Sequence, residues 1–411
     1  MIKSILNRRM FSILMLGISS GLPLLLIGGT LKAWMHDQKI NLATIGLFAL
    51  VGLPYSLKFL WAPLMDRFVP PFLDRRRGWM VIWQLCLISG LIMLANIQPA
   101  VHIWRLVWVC LLLACFSASQ DIVIDAYKRD ILKDEELGFG FAVGIAGYRI
   151  GMLAASGVAL LLADRIGWRD TYLIMAATLM IGVAGACYAP SIENCQPPVN
   201  LKAAVLDPFL QFFSRSEAWM ILLFILLYKV GDQIVSDMVN PFYLEMGFSK
   251  TQIGVVAKTF GLGSMIFGGL LGGLLLFRMG IVRSLYAFGI FQALSILSLT
   301  IFNYVGASLP WLAVAVSLEN LASGMAGASY SAYMASLCDK RYSATQYALF
   351  SSLIGFTRVI FGSGSGFVAE HLGWNIFFIA CALLAVPGLL LLIHLHRKNA
   401  ILQPASNSHL V

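Results

Sequence analysis

Five charged residues stand near the middle of long apolar runs in the sequence. They are Arg149, Lys229, Asp232, Glu319 and Arg358. A charge surrounded by hydrocarbon costs several kcal/mol unless it is paired or faces water. Several charges at one depth therefore favour a polar cavity, while ion pairs that tie helices together remain the alternative.

The signs of these charges indicate what such a cavity would bind. Both halves of the chain bring positive charge, at Lys58, Arg149, Lys229 and Arg358. Such a set suits an anionic ligand. Glu319 and Asp232 are candidates for proton coupling, because a carboxyl group shielded from water takes up a proton more readily near neutral pH. Asn320 would add neutral hydrogen bonds.

A second acidic group lies in "SASQDIVIDAYKRD", residues 117–130. Asp121 and Asp125 are four residues apart, so they share one face of a helix. Asp121 is about eighteen residues into its run, roughly 27 Å along the helix, and thus lies towards the inner end. We expect Asp121 to serve proton or substrate binding and Asp125 to serve a gate, although a solvated helix end is also open.

The elements that must position these residues are membrane helices. Of the 411 residues 59% are hydrophobic and 12% are charged, against about 25% charged in a soluble protein. Apolar runs of about 20 residues, enough to cross the hydrocarbon core, recur along the chain. We predict an all-α integral membrane protein with about twelve spans, near 10–30, 43–65, 79–97, 103–125, 139–162, 171–189, 219–242, 252–277, 282–303, 310–335, 344–368 and 374–394.

The net charge of +9 follows the predicted topology. With the N-terminus inside, the inner loops and tails hold 18 Lys and Arg residues and the outer ones hold 6. This bias predicts that both termini are cytoplasmic. Anionic lipid accounts for the excess positive charge, so no nucleic-acid partner is expected. The seven cysteines lack metal-ligand spacing, and no catalytic or nucleotide motif occurs, so we expect no metal, no cofactor and no enzyme activity.

The two halves of the chain resemble each other. "LADRIGW" at 162–168 parallels "VAEHLGW" at 368–374, and a polar linker lies between the halves. We predict an N-terminal six-helix bundle (1–189), a linker with an amphipathic helix (190–218), and a C-terminal six-helix bundle with a short tail (219–411). Two pseudo-symmetric bundles are the arrangement of major-facilitator transporters.

The loop between the second and third predicted spans reads "PLMDRFVPPFLDRRRGW". It is similar to the acidic-basic loop motif of the major-facilitator transporters. Asp66, Arg67 and Arg75, together with Asp125, would latch neighbouring helix ends as a gate. A solvated basic loop that obeys the charge rule is the alternative.

Further stretches form a recognisable set. They are "TLKAWM", "FSASQDIVIDAYKRDIL", "GYRIGMLAASGVALLLAD", "LLYKVGD", "LENLASGM" and "CDKRYSATQYALFSSL". This set resembles the AmpG-type muropeptide permeases. On the matching segments, Gln120 joins the substrate-binding candidates, and Asp121, Asp232 and Glu319 are the proton-coupling candidates.

The resemblance implies an importer in the bacterial inner membrane. It would bring anhydro-muropeptides, the GlcNAc–anhydroMurNAc products of wall turnover and their peptides, into the cytoplasm for recycling, driven by protons. Its partners would be an anionic sugar-peptide, protons and membrane lipid, with the protein a monomer. In this family such import feeds β-lactamase induction. A ferric-siderophore importer of related architecture is the alternative, and a flippase for a lipid-linked sugar is a third reading.

Overall fold

The computed structural model describes residues 7–192, 197–363 and 365–398. The side chains at 42, 49, 258, 303 and 356–364 lie outside this description. Within the described residues the regular structure is helical, and ten segments are long and apolar enough to cross a membrane. Numbered with three further helices, the elements are α1 (Arg8–Asp37), α2 (Ala43–Leu60), α3 (Arg75–Ala95), α4 (Ile103–Ile131), α5 (Asp134–Ile166), α6 (Trp168–Tyr188), α7 (Leu201–Phe213), α8 (Ala218–Glu245), α9 (Lys250–Met279), α10 (Ile281–Ile301), α11 (Leu309–Leu337), α12 (Ser343–Ser363) and α13 (Ser365–Arg397).

The three further helices differ in what their length allows. With 29 and 21 residues, α11 and α12 are long enough to cross about 30 Å of hydrocarbon. Helix α7 has 13 residues and is too short. Twelve spans remain the prediction, and ten of them meet both the length and the composition that crossing requires.

The helix boundaries repeat along the chain. Helices α3 and α10, and likewise α4 and α11, begin and end 206 residues apart. Gly167, between α5 and α6, has φ 80°, and Gly373, 206 residues later, has φ 75°. Glycine adopts this left-handed conformation without a steric cost. Gly373 interrupts α13 between the last two predicted spans, so the duplication seen in the sequence extends to the turns.

Close packing between helices depends on glycine. A Cβ atom added at Gly21 of α1 would lie 2.0 Å from the carbonyl oxygen of Tyr148 in α5. One added at Gly151 of α5 would lie 2.1 Å from the carbonyl oxygen of Ile18. Small residues at such spacing let membrane helices approach closely. Helix α5 is thereby held against α1.

Contacts divide the chain into two compact units. Unit 1 consists of Met1–Lys133, Val143–Pro208 and Lys340–Ser352, and unit 2 of Asp134–Ala142, Phe209–Asp339 and Leu353–Val411. In unit 1 the core is mainly aliphatic. In unit 2, Phe242 makes ring contacts with both Phe302 and Phe378. The predicted boundaries at 189 and 219 assign each half of the chain to one bundle. In the structure, Asp134–Ala142 of the first half belongs to unit 2, and Lys340–Ser352 of the second half belongs to unit 1.

Candidate functional site

The first polar cluster lies in unit 1, around a cavity of about 190 Å³ between α1, α4 and α5. Asp121 on α4 lines it and accepts a hydrogen bond from the hydroxyl of Ser20 on α1. Lys58 is buried in the turn that ends α2, close enough to interact electrostatically with Asp121. The structure thus brings Lys58 and Asp121 together, which the sequence predicted only as separate polar residues.

Asp125 also lines this cavity, one turn further along α4. Its carboxylate forms an ion pair with Lys128, at 2.6 Å between Oδ1 and Nζ. The prediction set Asp125 against the arginines of the loop before α3. The structure instead shows this local pair, because residues three apart on a helix face each other.

Gln120 takes part in a buried hydrogen-bond network beside the cavity. Its Nε2 lies 3.4 Å from the hydroxyl oxygen of Ser19, which also accepts a 2.7 Å bond from Nε2 of Gln84. The Ser19 hydroxyl donates to the carbonyl oxygen of Leu16. Three helices, α1, α3 and α4, are joined at this point. Gln120 therefore ties the helices that carry the cavity, and its predicted contact with substrate stays a prediction.

Arg149 is half-buried on α5, next to the cavity-lining Tyr148. Its Nη1 lies 3.8 Å from the sulfur of Met152. The close approach of α5 to α1 at Gly151 fixes the height of this arginine relative to Ser20. Arg149 adjoins the cavity-lining Tyr148 in the sequence, and its predicted contact with substrate stays a prediction.

The second polar cluster lies in unit 2, at an interruption of α8. The first part of α8 ends at Leu227, and a second part begins at Val230, with Lys229 at its N-cap position. Nζ of Lys229 lies 2.8 Å from Oδ2 of Asp232 and 3.4 Å from Oε1 of Gln292 on α10. Asp232 is in the first turn of the second part, where the helix dipole favours a negative charge.

Helix α11 completes this cluster. Ser323 donates a 3.2 Å hydrogen bond to Asp232, and Glu319, one turn earlier, is only 9% exposed. Nδ2 of Asn320 lies 3.3 Å from Oε2 of Glu319 and 2.9 Å from the carbonyl oxygen of Val316. Glu319 is close enough to interact electrostatically with Asp232 and Lys229. Asp232 therefore binds the ammonium group directly, and Glu319 lies within electrostatic range of both.

The predicted set of cavity residues differs from the observed cluster at two positions. The side chain of Arg358, predicted to line the cavity, lies outside the described residues. Gln292, which bonds Lys229, was not predicted. A glutamine inside an apolar run was its signal, since an amide in a membrane helix needs a partner.

A third cluster joins the loop after α2 to α3, α4 and the start of α12, all within unit 1. Asp66 is fully buried and accepts bonds from the backbone N–H and the hydroxyl of Thr345, at 2.8 and 2.7 Å. Arg76 donates to Asp66 (2.7 Å), to Asp130 at the end of α4 (2.8 Å) and to the hydroxyl of Ser343. Asp66 thus binds the N-terminus of α12 while Arg76 joins it to α4.

The predicted gate residues divide around this cluster. Arg75 belongs to it, because Nη1 donates a 3.0 Å bond to the carbonyl oxygen of Asp66. The described contact of Arg67 is with the ring of Phe68, 5.8 Å from the centroid. The two central partners, Arg76 and Asp130, were not singled out from the sequence. Their signal was one acidic residue, Asp130, near the end of α4, and the three consecutive arginines at 75–77.

Comparison with known proteins places the chain in a family. The family model described as Major Facilitator Superfamily matches residues 10–362 and 245–408. The anhydromuropeptide permease of Escherichia coli K12 is 42% identical over 384 residues, which cover 93% of this chain and 78% of that protein. The putative transporter AmpG 4 of Rickettsia felis is 34% identical over 401 residues, covering 95% and 97%.

Solved structures agree on the fold. The proton:xylose symporter XylE aligns with a TM-score of 0.74 and 11% identity, over 97% of this chain and 96% of that one. The human organic anion transporter MFSD10 aligns with a TM-score of 0.69 and 17% identity, over 94% and 99%. The chain belongs to the major facilitator superfamily and, within it, to the family of the AmpG anhydromuropeptide permeases. The predicted fold class and family are confirmed, and the chain is a multi-pass membrane protein.

Proposed function

We propose that this chain is a proton-coupled transporter that imports anhydromuropeptides across the bacterial inner membrane for cell-wall recycling. The observation that carries the proposal is 42% identity, over 93% of the chain, to the anhydromuropeptide permease of Escherichia coli. The protein works without a cofactor, as a monomer, with both termini in the cytoplasm, as the positive-inside bias of its loops favours.

The polar clusters supply groups for both partners of such a transporter. Lys58 and Arg149 in unit 1, and Lys229 in unit 2, carry positive charge that suits the carboxylates of an anionic sugar-peptide. Asp121, Asp232 and Glu319 are carboxylates beside these cations. A proton that binds one carboxylate weakens its hold on the neighbouring ammonium, which then binds the substrate anion. This exchange would couple the two ligands.

Uptake into cells separates this function from import of ferric siderophores. Cells that express the chain receive labelled GlcNAc–anhydroMurNAc peptide or a labelled ferric siderophore, each with and without a protonophore. We expect accumulation of the muropeptide alone, and loss of that accumulation with the protonophore. Accumulation of the siderophore alone would contradict the proposed substrate.

Replacement of Arg149 should have a large effect on uptake. Arg149→Ala removes the positive charge that follows the cavity-lining Tyr148 on α5, so uptake should fall to the background of cells without the protein. The variant should still reach the membrane, because the side chain is only half-buried. Arg165→Ala is the matched control, since Arg165 is an exposed arginine at the end of the same helix. Normal uptake by Arg149→Ala would remove Arg149 from the mechanism.

A further inference from the structure

Helix α7, between α6 and α8, turns mainly apolar side chains outward, unlike a helix that faces water. Its exposed side chains are Leu201, Lys202, Val205, Leu206, Leu210 and Phe213. At about 3.6 residues per turn these six positions fall on one half of the helix. Five of the six are apolar, whereas a helix on the surface of a soluble domain turns charged and polar residues outward.

The opposite side of α7 is engaged by the protein. In unit 1, Tyr342 donates a 3.1 Å hydrogen bond to Asp207, and Nε2 of Gln346 donates one to the carbonyl oxygen of Pro208. In unit 2, Nε2 of Gln211 donates a 2.6 Å bond to Asp339. The side chains of Asp207 and Gln211 thus point inward and are bonded, so the orientation of α7 is fixed by several contacts.

The outward face is too apolar for water. Leu210 is 67% exposed, and Leu206 and Phe213 are exposed beside it. A continuous exposed apolar patch of this kind indicates a surface that contacts either lipid or another protein. The element next to the patch indicates which of the two it contacts.

The patch continues onto a membrane-spanning helix. Phe213, at the end of α7, packs against Trp219 in the first turn of α8, with ring centroids 4.9 Å apart. Trp219 is 74% exposed and stands at the end of a segment apolar enough to cross the membrane, the position where tryptophan meets the lipid headgroups. Only a few residues join α7 to α8, so α7 stays at the depth of these headgroups.

We propose that α7 is an interfacial membrane anchor whose outward face is buried in the headgroup–acyl boundary of the bilayer. Leu206, Leu210 and Phe213 enter the acyl region, and Lys202 on the same face binds anionic headgroups. The polar inward face holds α7 on the start of α12 through Gln346. The lipid surface is thereby connected to a helix whose N-terminus Asp66 binds.

Spin-label accessibility tests this anchor. Leu206→Cys and Leu210→Cys variants of a cysteine-free chain are labelled with a nitroxide and reconstituted in vesicles of phosphatidylethanolamine and phosphatidylglycerol. Two variants calibrate the scale: Glu135→Cys, exposed in the short 3-10 turn that begins α5, and Leu112→Cys, exposed in the middle of α4. Oxygen concentrates in lipid, and a nickel chelate remains in water.

The expected result is an oxygen-to-nickel collision ratio at 206 and 210 that is several-fold above the ratio at 135 and approaches that at 112. A ratio equal to that at 135 would mean that the face is in water. Low collision rates with both reagents would mean that protein, such as a second copy of the chain, covers it. Either of these results overturns the proposal.

Radical footprinting of the natural chain gives a second test that needs no substitution. In lipid nanodiscs that hold one copy, hydroxyl radicals should oxidise Leu206 and Leu210 as slowly as Leu85 and Leu112, two leucines exposed on α3 and α4. Several-fold faster oxidation at 206 and 210 would contradict the anchor even if the labelled variants failed to fold.

Discussion

Glu319→Gln is expected to abolish uphill accumulation of labelled anhydromuropeptide while the protein still reaches the membrane. Glutamine has the size of glutamate and keeps its hydrogen bonds, including the one with Asn320, but it cannot bind and release a proton. Because Asp232 already has Lys229 as a direct partner, Glu319 is the carboxylate of this cluster that we expect to exchange protons. The measurement is the initial rate and final level of uptake in energised cells.

Exchange across the membrane separates coupling from binding. The Glu319→Gln variant should still exchange internal labelled substrate for external unlabelled substrate, because that process needs no net proton movement. Glu245→Gln, at the exposed end of α8, is the matched control and should leave both processes unchanged. Normal accumulation by Glu319→Gln would exclude Glu319 as the coupling group.

Arg76→Ala is expected to destabilise the protein more than alanine replacement of Arg67, Arg75 or Arg77. The side chain is 1% exposed and bonds two buried carboxylates, Asp66 and Asp130. Removal of one partner from a buried ion pair typically costs about 3–5 kcal/mol, because the remaining charges stay buried and unpaired. The melting temperature of the purified protein in detergent reports the loss.

Two comparisons identify the cause. Arg67→Ala removes the same charge beside Asp66, but the described contact of Arg67 is a cation–π interaction worth about 0.5–1 kcal/mol at exposed sites, so it should matter much less. Arg76→Lys keeps the charge but loses the planar fork that bonds both carboxylates, so it should also be destabilised. Equal melting temperatures for Arg76→Ala and Arg67→Ala would refute the role of the buried pairs.

The architecture was predictable because its signals are local and repeated. An apolar run of about 20 residues has few structural outcomes other than a membrane helix. The echo between "LADRIGW" and "VAEHLGW" led to the duplication that Gly167 and Gly373 share in their backbone conformation. The pairing of Lys229 with Asp232 was equally predictable, because residues three apart on a helix lie on the same face in any fold.

The contacts that were missed are those between distant parts of the chain. Arg76 and Asp130 are 54 residues apart, and three consecutive arginines compete for three acidic residues of α4. Spacing alone favours no pairing among them, so Asp125 was as reasonable a partner as Asp130. The orientation of α7 was hidden for the same reason, because its polar face is defined by residues 339–346, more than a hundred positions away.

The central claim is that inward proton movement drives muropeptide import, and the purified protein in vesicles tests it most directly. Proteoliposomes are loaded with a pH indicator, and labelled GlcNAc–anhydroMurNAc peptide is added with or without an inward proton gradient. Our account predicts that the gradient drives accumulation of the peptide, that peptide entry acidifies the lumen, and that a protonophore abolishes accumulation. Accumulation that is equal with and without the gradient, or peptide entry without acidification, would contradict it.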